Sequence, residues 1–180
     1  MRFLLLVGVL AACSSPPDTT MAGVSPPVLH NAPEQADPGP HTLLATLERG
    51  VCYGWCPVYK LEIYRDGDVE YHGEEFVKQK GDATTHLTPS QLANLEHAFA
   101  DAHYFALADT YKHEDATDAP TAITSFHDDG DRIKHVEHYH GDSHAPEALT
   151  KLEGDIDRIV GSERWIGTRE EREKHAEEWR

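Results

Sequence analysis

Residues 58–64 alternate between apolar and polar side chains, and this pattern constrains the fold more than any other in the chain. The segment is VYKLEIY, which places Tyr59, Leu61 and Ile63 on one face and charged side chains on the other. Asp66-Gly67 follows, a dipeptide typical of a type I′ hairpin turn, and a returning strand is predicted over residues 69–72. A hairpin with one apolar face needs a covering layer, so the pattern predicts an antiparallel sheet packed against helices.

Three further local patterns extend this prediction. A DDGD turn joins predicted strands over residues 121–127 and 132–139. The sequence TPSQ at residues 88–91 has the cap, the proline and the glutamine of a helix start. A second helix, with apolar residues at helical spacing, is predicted to begin at Pro146 and to end at Gly161.

With a first strand at about residues 42–48, the predicted order is β-β-β-α-β-β-α. This is an α+β domain over residues 42–167: an antiparallel sheet of about five strands with two helices packed on one face. Residues 168–180 begin with TREE, a capping-box pattern, and are charged on almost every side. They are predicted to form a last helix, either as a solvated extension or as a docking arm.

The first 41 residues have a different character. Residues 1–12 contain one arginine and an apolar run of about ten residues, which is typical of a signal peptide and shorter than the roughly 20 residues that span a bilayer. The run ends in Leu-Ala-Ala before Cys13 and resembles the lipobox of bacterial lipoproteins. Residues 13–41 hold seven of the eleven prolines and almost no large apolar side chains, so they are predicted to be a tether.

The lipobox resemblance implies a location. Lipidation of Cys13 would supply several acyl chains, which together anchor a protein stably in a membrane. Serine at position 14 points, by the same resemblance, to the outer membrane of a diderm bacterium. We therefore expect a lipid-anchored protein of the cell envelope, facing the periplasm or the cell surface.

The charge of the chain restricts its partners. There are 32 acidic and 16 basic residues, a formal net charge of −16 at pH 7. Nucleic acid and anionic membrane surfaces repel such a field, so neither is an expected partner of the domain. Beyond the lipid anchor, the expected partner is a protein or another envelope component.

The two remaining cysteines, Cys52 and Cys56, form an even pair in an oxidising compartment. A structural disulfide is the favoured interpretation; it would fix a small loop that presents Tyr53 and Trp55. A thiol-disulfide redox couple and a metal clip stay open as alternatives. The redox hypothesis lacks a helix start, since Cys56 leads through Pro57 into a predicted strand.

Histidines cluster in the sequence HVEHYHGDSH, residues 135–144. On a strand, His138 and His140 share a face, and His144 in the following loop is a third candidate ligand for a divalent transition metal. The alternative is a set of solvated histidines on a strand and loop. No other cofactor is expected.

No catalytic residue can be named. The sequence has no G-x-S-x-G elbow, phosphate-binding loop, H-E-x-x-H or dinucleotide fingerprint. This favours a non-enzymatic module.

The block C-x-G-x-C-P-x-Y at residues 52–59, the IYRDG hairpin and the TDAPT segment at residues 117–121 resemble a bacterial family of uncharacterised secreted and lipoprotein domains. The resemblance covers about residues 44–166. It implies the domain limits and no chemistry. We therefore expect a binding or structural module with Tyr53, Trp55 and Asp118 as its candidate binding surface.

Overall fold

The computed structural model describes residues 41–113, 117–130 and 132–180. The predicted signal peptide, the predicted lipidation site at Cys13 and nearly all of the predicted tether lie outside the described residues. The strands are β1 (Leu43–Arg49), β2 (Val58–Tyr64), β3 (Asp68–Glu75), β4 (Gly81–His86), β5 (Thr110–Tyr111), β6 (Thr121–His127) and β7 (Ile133–Tyr139). The helices are α1 (Pro89–Asp101), α2 (Glu147–Val160), α3 (Glu163–Ile166) and α4 (Arg169–Trp179), with a 3₁₀ turn at Tyr104–Ala106.

The α+β class is confirmed, and the sheet is larger than predicted. Its seven strands lie in the order β4-β3-β2-β1-β6-β7-β5. All neighbours are antiparallel except β5, which pairs in parallel with β7. The sheet is therefore mixed rather than antiparallel with about five strands. The two added strands lie at its edges, and β4 was missed because its sequence, GDATTH, has no large apolar residue.

Both predicted hairpins are present, and one turn differs from its prediction. Strand β2 pairs with β3, with Leu61 opposite Tyr71, and β6 pairs with β7. The β2–β3 loop has three residues, and within it only Gly67 has a positive φ, of 96°. A type I′ turn needs positive φ at both central residues, so this loop belongs to the longer class in which one glycine completes the turn.

The two predicted helices begin and end as their sequences indicate. Thr88 and Gln91 form a capping box at the start of α1, and Gly161 ends α2 in the left-handed conformation with φ 72°. Gln91 Nε2 also donates to the Ile159 carbonyl oxygen at 3.0 Å, which ties the start of α1 to the end of α2. The helices cover the same sheet face: Phe99 of α1 stacks on Phe126 of β6 at 4.2 Å.

The core lies between this face and the helices. The largest of its fully buried side chains include three tyrosines, one phenylalanine and several leucines: Tyr59, Tyr71, Tyr104, Phe99, Leu44, Leu47, Leu61, Leu87, Leu95, Leu149 and Leu152. Trp165 of α3 stacks on Tyr71 at 4.7 Å and closes one end of the core.

The charged helix α4 packs on the domain. Ala176 is buried on its inner side, and the Phe76 amide donates to the Trp179 carbonyl oxygen at 2.7 Å. Lys80 Nζ donates to the carbonyl oxygen of Arg180 at 2.6 Å. These contacts show that α4 packs against the domain and does not extend freely into solvent.

Within the described part of the chain, none of the helices has both the length and the apolar character needed to cross a membrane.

Candidate functional site

The segment between β1 and β2 is a loop that is closed by a disulfide and exposes aromatic side chains. Cys52 and Cys56 form the predicted disulfide, with their Cα atoms 5.7 Å apart. The Tyr53 amide donates to the Asp118 carbonyl oxygen at 3.1 Å, so the loop is also attached to the segment before β6. We call residues 51–56 the disulfide loop.

Exposure of apolar surface is concentrated on this loop. Tyr53 is 88% exposed, Val51 66% and Trp55 40%. The only other large hydrophobic residue among those described with comparable exposure is Ile133, at the start of β7. Exposed apolar side chains that cluster on one loop are typical of a surface that contacts another protein.

Helix α4 lies beside the disulfide loop. Arg169, Arg172 and Glu173 line a cleft together with residues 52–57. The edge of Trp55 also meets Phe76, with ring centroids 5.7 Å apart, and Phe76 is the residue whose amide is bonded to α4. In the sequence, Arg49 is a cation three residues before Cys52. The fold adds two arginines from α4, which lies far from the cysteines along the chain.

A second group of polar side chains lies between the sheet and α2. It consists of one arginine, one tyrosine, two histidines and two carboxylates, which we call the buried polar cluster: Arg49, Tyr59, His138, His140, Glu153 and Asp157. Strand register explains the assembly, because Arg49 of β1 lies opposite Tyr59 of β2 and both face α2. His138 faces the same side from β7, opposite Ala122.

Glu153 is the centre of the cluster. Its Oε1 accepts a hydrogen bond from His138 Nδ1 at 2.7 Å, and its Oε2 lies 2.8 Å from His140 Nε2. Arg49 Nη1 donates to the same Oε2 at 3.0 Å. The side chain of Glu153 is only 1% exposed, so its charge depends on these partners rather than on water.

Asp157, one turn further along α2, holds the rest of the cluster. Its Oδ2 accepts from Arg49 Nη2 at 2.9 Å. Its Oδ1 accepts from the hydroxyl groups of Tyr59, at 2.5 Å, and Ser162, at 2.7 Å. Arg49 therefore bridges both carboxylates, and α2 is bound to β1 and β2 by a connected polar network.

The network shifts the ionisation of its members. Burial opposes the charge of Glu153, but the hydrogen bonds from His138 and His140 and the charge of Arg49 outweigh it and lower the pKa to about 2. Burial also opposes the charge of Arg49, yet Asp157 and Glu153 raise the guanidinium pKa above its ordinary value. Burial, with the charge of Asp157, raises the pKa of Tyr59.

The structure brings together two of the three histidines that the sequence singled out as metal ligands. The rings of His138 and His140 stack with centroids 4.3 Å apart. Among the described residues, the groups with ligand atoms close enough for one ion are His138–His140–Glu153 and His41–Asp66–Asp68. His144 belongs to neither; its Nδ1 lies 3.3 Å from Asp142 Oδ1.

Sequence reasoning missed Glu153 and Asp157 as site residues, although a pattern could have found them. They lie four residues apart on the predicted helix, among the apolar positions that face the core. A carboxylate on a buried helix face needs a partner, so such a pair predicts a polar network.

The comparison with known protein families identifies a domain over nearly the same residues as the β1-to-α2 part of the fold. No curated protein shows significant sequence similarity to the chain. Residues 44–160 match a family described as a domain of unknown function, DUF6438, and this range runs from β1 to the last residue of α2. The match confirms the prediction of an uncharacterised family. The chain belongs to the DUF6438 family.

Proposed function

We propose that this protein is an envelope lipoprotein, anchored through Cys13, whose domain is a non-enzymatic binding module. The disulfide loop is its binding surface. The observation that carries the proposal is the 88% exposure of Tyr53 on a loop closed by the Cys52–Cys56 bridge. Because the loop is already ordered, a partner that buries Tyr53 and Trp55 does not have to order it on binding.

The surroundings of the loop support a protein or another envelope component as the partner. Aromatic side chains contribute large contact area with few rotatable bonds, and arginines are frequent beside them at protein interfaces. Here Arg169 and Arg172 line the cleft next to the loop. Asp118, whose carbonyl oxygen holds the Tyr53 amide, is exposed at the edge of the same surface.

A thiol-disulfide redox protein is the second candidate function. The observation in its favour is the same pair of arginines, since cations near a cysteine stabilise its thiolate. Against it, Cys52 and Cys56 lie in the segment between β1 and β2, so neither cysteine stands at the start of a helix of its own.

The binding proposal is tested by crosslinking in intact cells. A photoreactive phenylalanine analogue replaces Tyr53 in the full-length protein, and the same analogue replaces Ile133 as a matched control. Ile133 is also an exposed hydrophobic residue, at 57%. It begins β7, whereas Asp118, which binds the Tyr53 amide, lies near the end of β7, because Thr121 pairs with Tyr139. We expect a discrete crosslinked species from position 53 that is absent from position 133.

Two further variants make the result specific. Trp55→Ala should weaken the position-53 crosslink several-fold, since it removes a second anchor from the same surface. Cys13→Ser should move the protein from the membrane to the soluble fraction. Equal crosslinking from positions 53 and 133 would contradict the binding surface, and an unchanged membrane fraction in Cys13→Ser would contradict the anchor.

A further inference from the structure

We propose that His138, His140 and Glu153 form a binding site for a divalent transition metal ion of the zinc type. The donor set is two imidazole nitrogens and one carboxylate, with all ligand atoms within 4.8 Å of one another. This is a ligand combination that proteins use for zinc and for neighbouring first-row metals. The inference is independent of the binding function proposed for the disulfide loop.

The positions of the ligands favour a single ion. His138 and His140 lie two residues apart at the end of β7 and stack, so both rings point to one side. His138 Nδ1 is 2.7 Å from one oxygen of Glu153, and His140 Nε2 is 2.8 Å from the other. Tetrahedral ligands about 2.0 Å from zinc lie about 3.3 Å apart, so side-chain rotations that move these atoms by about half an ångström open the site.

Arg49 competes with the ion for Glu153, and the geometry provides an alternative partner for it. Its Nη1 contacts Glu153 Oε2 at 3.0 Å, while its Nη2 separately contacts Asp157 Oδ2 at 2.9 Å. When an ion takes Glu153, Arg49 keeps its ion pair with Asp157. Asp157 is in turn fixed by the hydroxyl groups of Tyr59 and Ser162.

The charge of the cluster also favours a cation. Imidazoles that bind a metal are neutral. Glu153 and Asp157 then carry two negative charges and Arg49 one positive charge, so one negative charge is left on a group of buried and half-buried side chains. Three protein ligands leave a fourth position for water or for a ligand atom of a partner. His140, whose side chain is 23% exposed, marks the route by which an ion enters, because His138 and Glu153 are at most 3% exposed.

The test follows the imidazole nitrogens of the wild-type protein by two-dimensional NMR while Zn²⁺ is added to chelator-treated protein. The chain has 13 histidines, so bulk affinity alone does not identify the site. We expect the ring signals of His138 and His140 to change first, with saturation at one equivalent, and those of His144 and His41 to stay in place. First changes at His41, or at several histidines together, would overturn the proposal.

Calorimetric Zn²⁺ titrations of three variants complete the test, with near-ultraviolet circular dichroism as the check of folding. Glu153→Gln and His140→Gln should each weaken binding at least about tenfold, because each removes a ligand of one ion. His144→Ala should bind as the wild type does, since His144 lies with Asp142 outside the site. Wild-type affinity in a folded Glu153→Gln protein, or loss of binding in His144→Ala, would contradict the assignment.

Discussion

At the scale of single residues, Glu153 joins α2 to the sheet through several charged and polar partners. It is a carboxylate with 1% side-chain exposure that contacts Arg49 of β1, His138 of β7 and His140, the residue that follows β7. Breaking a buried ion pair by removing one partner leaves the other charge uncompensated, which costs about 3–5 kcal/mol. The stability of the domain should therefore depend on this one ionised group.

Acid should remove that stability in a defined pH range. The pKa of Glu153 is lowered to about 2, below its ordinary value of 4.5. A lowered pKa contributes stability that is present above pH 4.5 and is lost as the pH falls towards 2. In chelator-containing buffer at pH 7, Glu153→Gln should lower the free energy of unfolding by about 3 kcal/mol, measured by urea denaturation.

The difference between wild type and Glu153→Gln should shrink as the pH falls from 5 to 3. Glu147→Gln is the matched control: it is the same substitution in the same helix, at an exposed position. It should change the free energy of unfolding by no more than about 0.5 kcal/mol. A wild-type advantage over Glu153→Gln that is constant across this pH range would show that Glu153 is not stabilised as an ion.

The buried polar cluster also shows which parts of a site can be predicted from sequence. The pairing of His138 with His140 follows from the alternation of a strand, which is a local property. The contact of both with Glu153 depends on how α2 crosses the sheet. The contact with Arg49 depends on the strand order β1-β6-β7, which no pattern within any one strand specifies.

At the scale of elements, local features were again predictable from the sequence, and features that depend on distant contacts were not. The helices with caps and apolar stripes, and the hairpins with turn residues, were predicted because their determinants lie within a few residues of each other. Strand β5, of two residues, exists only through its parallel pairing with β7. The docking of α4 depends on non-local contacts such as the bond between the Phe76 amide and the Trp179 carbonyl oxygen, so the sequence left two alternatives open.

A single substitution should release α4 without unfolding the domain. Ala176→Glu places a charge at a position that is 5% exposed on the inner side of α4. Hydrogen exchange at the Phe76 amide should then accelerate by about tenfold or more, because its acceptor is in α4. The Gln79 amide, bonded to the Trp165 carbonyl oxygen in α3, should keep its protection.

Lys174→Glu introduces the same residue at an exposed position of the same helix and serves as the control. It should leave exchange at Phe76 unchanged. If Ala176→Glu also left the Phe76 amide protected, or exposed Phe76 and Gln79 equally, α4 would not be an independently docked element.

At the scale of the whole molecule, the domain has two contrasting surfaces. One is the disulfide loop with its exposed aromatics. The other is a depression on the sheet that is lined by five carboxylates against two basic residues: Glu48, Glu62, Glu70, Glu74 and Asp82 with Arg49 and Lys60. This distribution agrees with the formal net charge of −16 at pH 7.

Whether the Cys52–Cys56 bridge stays closed or opens distinguishes the two candidate functions, a binding module and a thiol-disulfide enzyme. In a binding module the bridge stays closed in the envelope and keeps Tyr53 on a fixed loop. In an enzyme it opens and closes with each reaction. The two accounts therefore require different reduction potentials of the same bond.

The most direct measurement is the reduction potential of this pair in the protein secreted into the periplasm, followed by alkylation and intact mass across a series of thiol buffers. We predict a potential below about −300 mV, the range of structural disulfides, with the bridge intact as isolated. A bridge that opens near about −200 mV and exposes a thiol of low pKa would contradict the binding account and identify a redox protein.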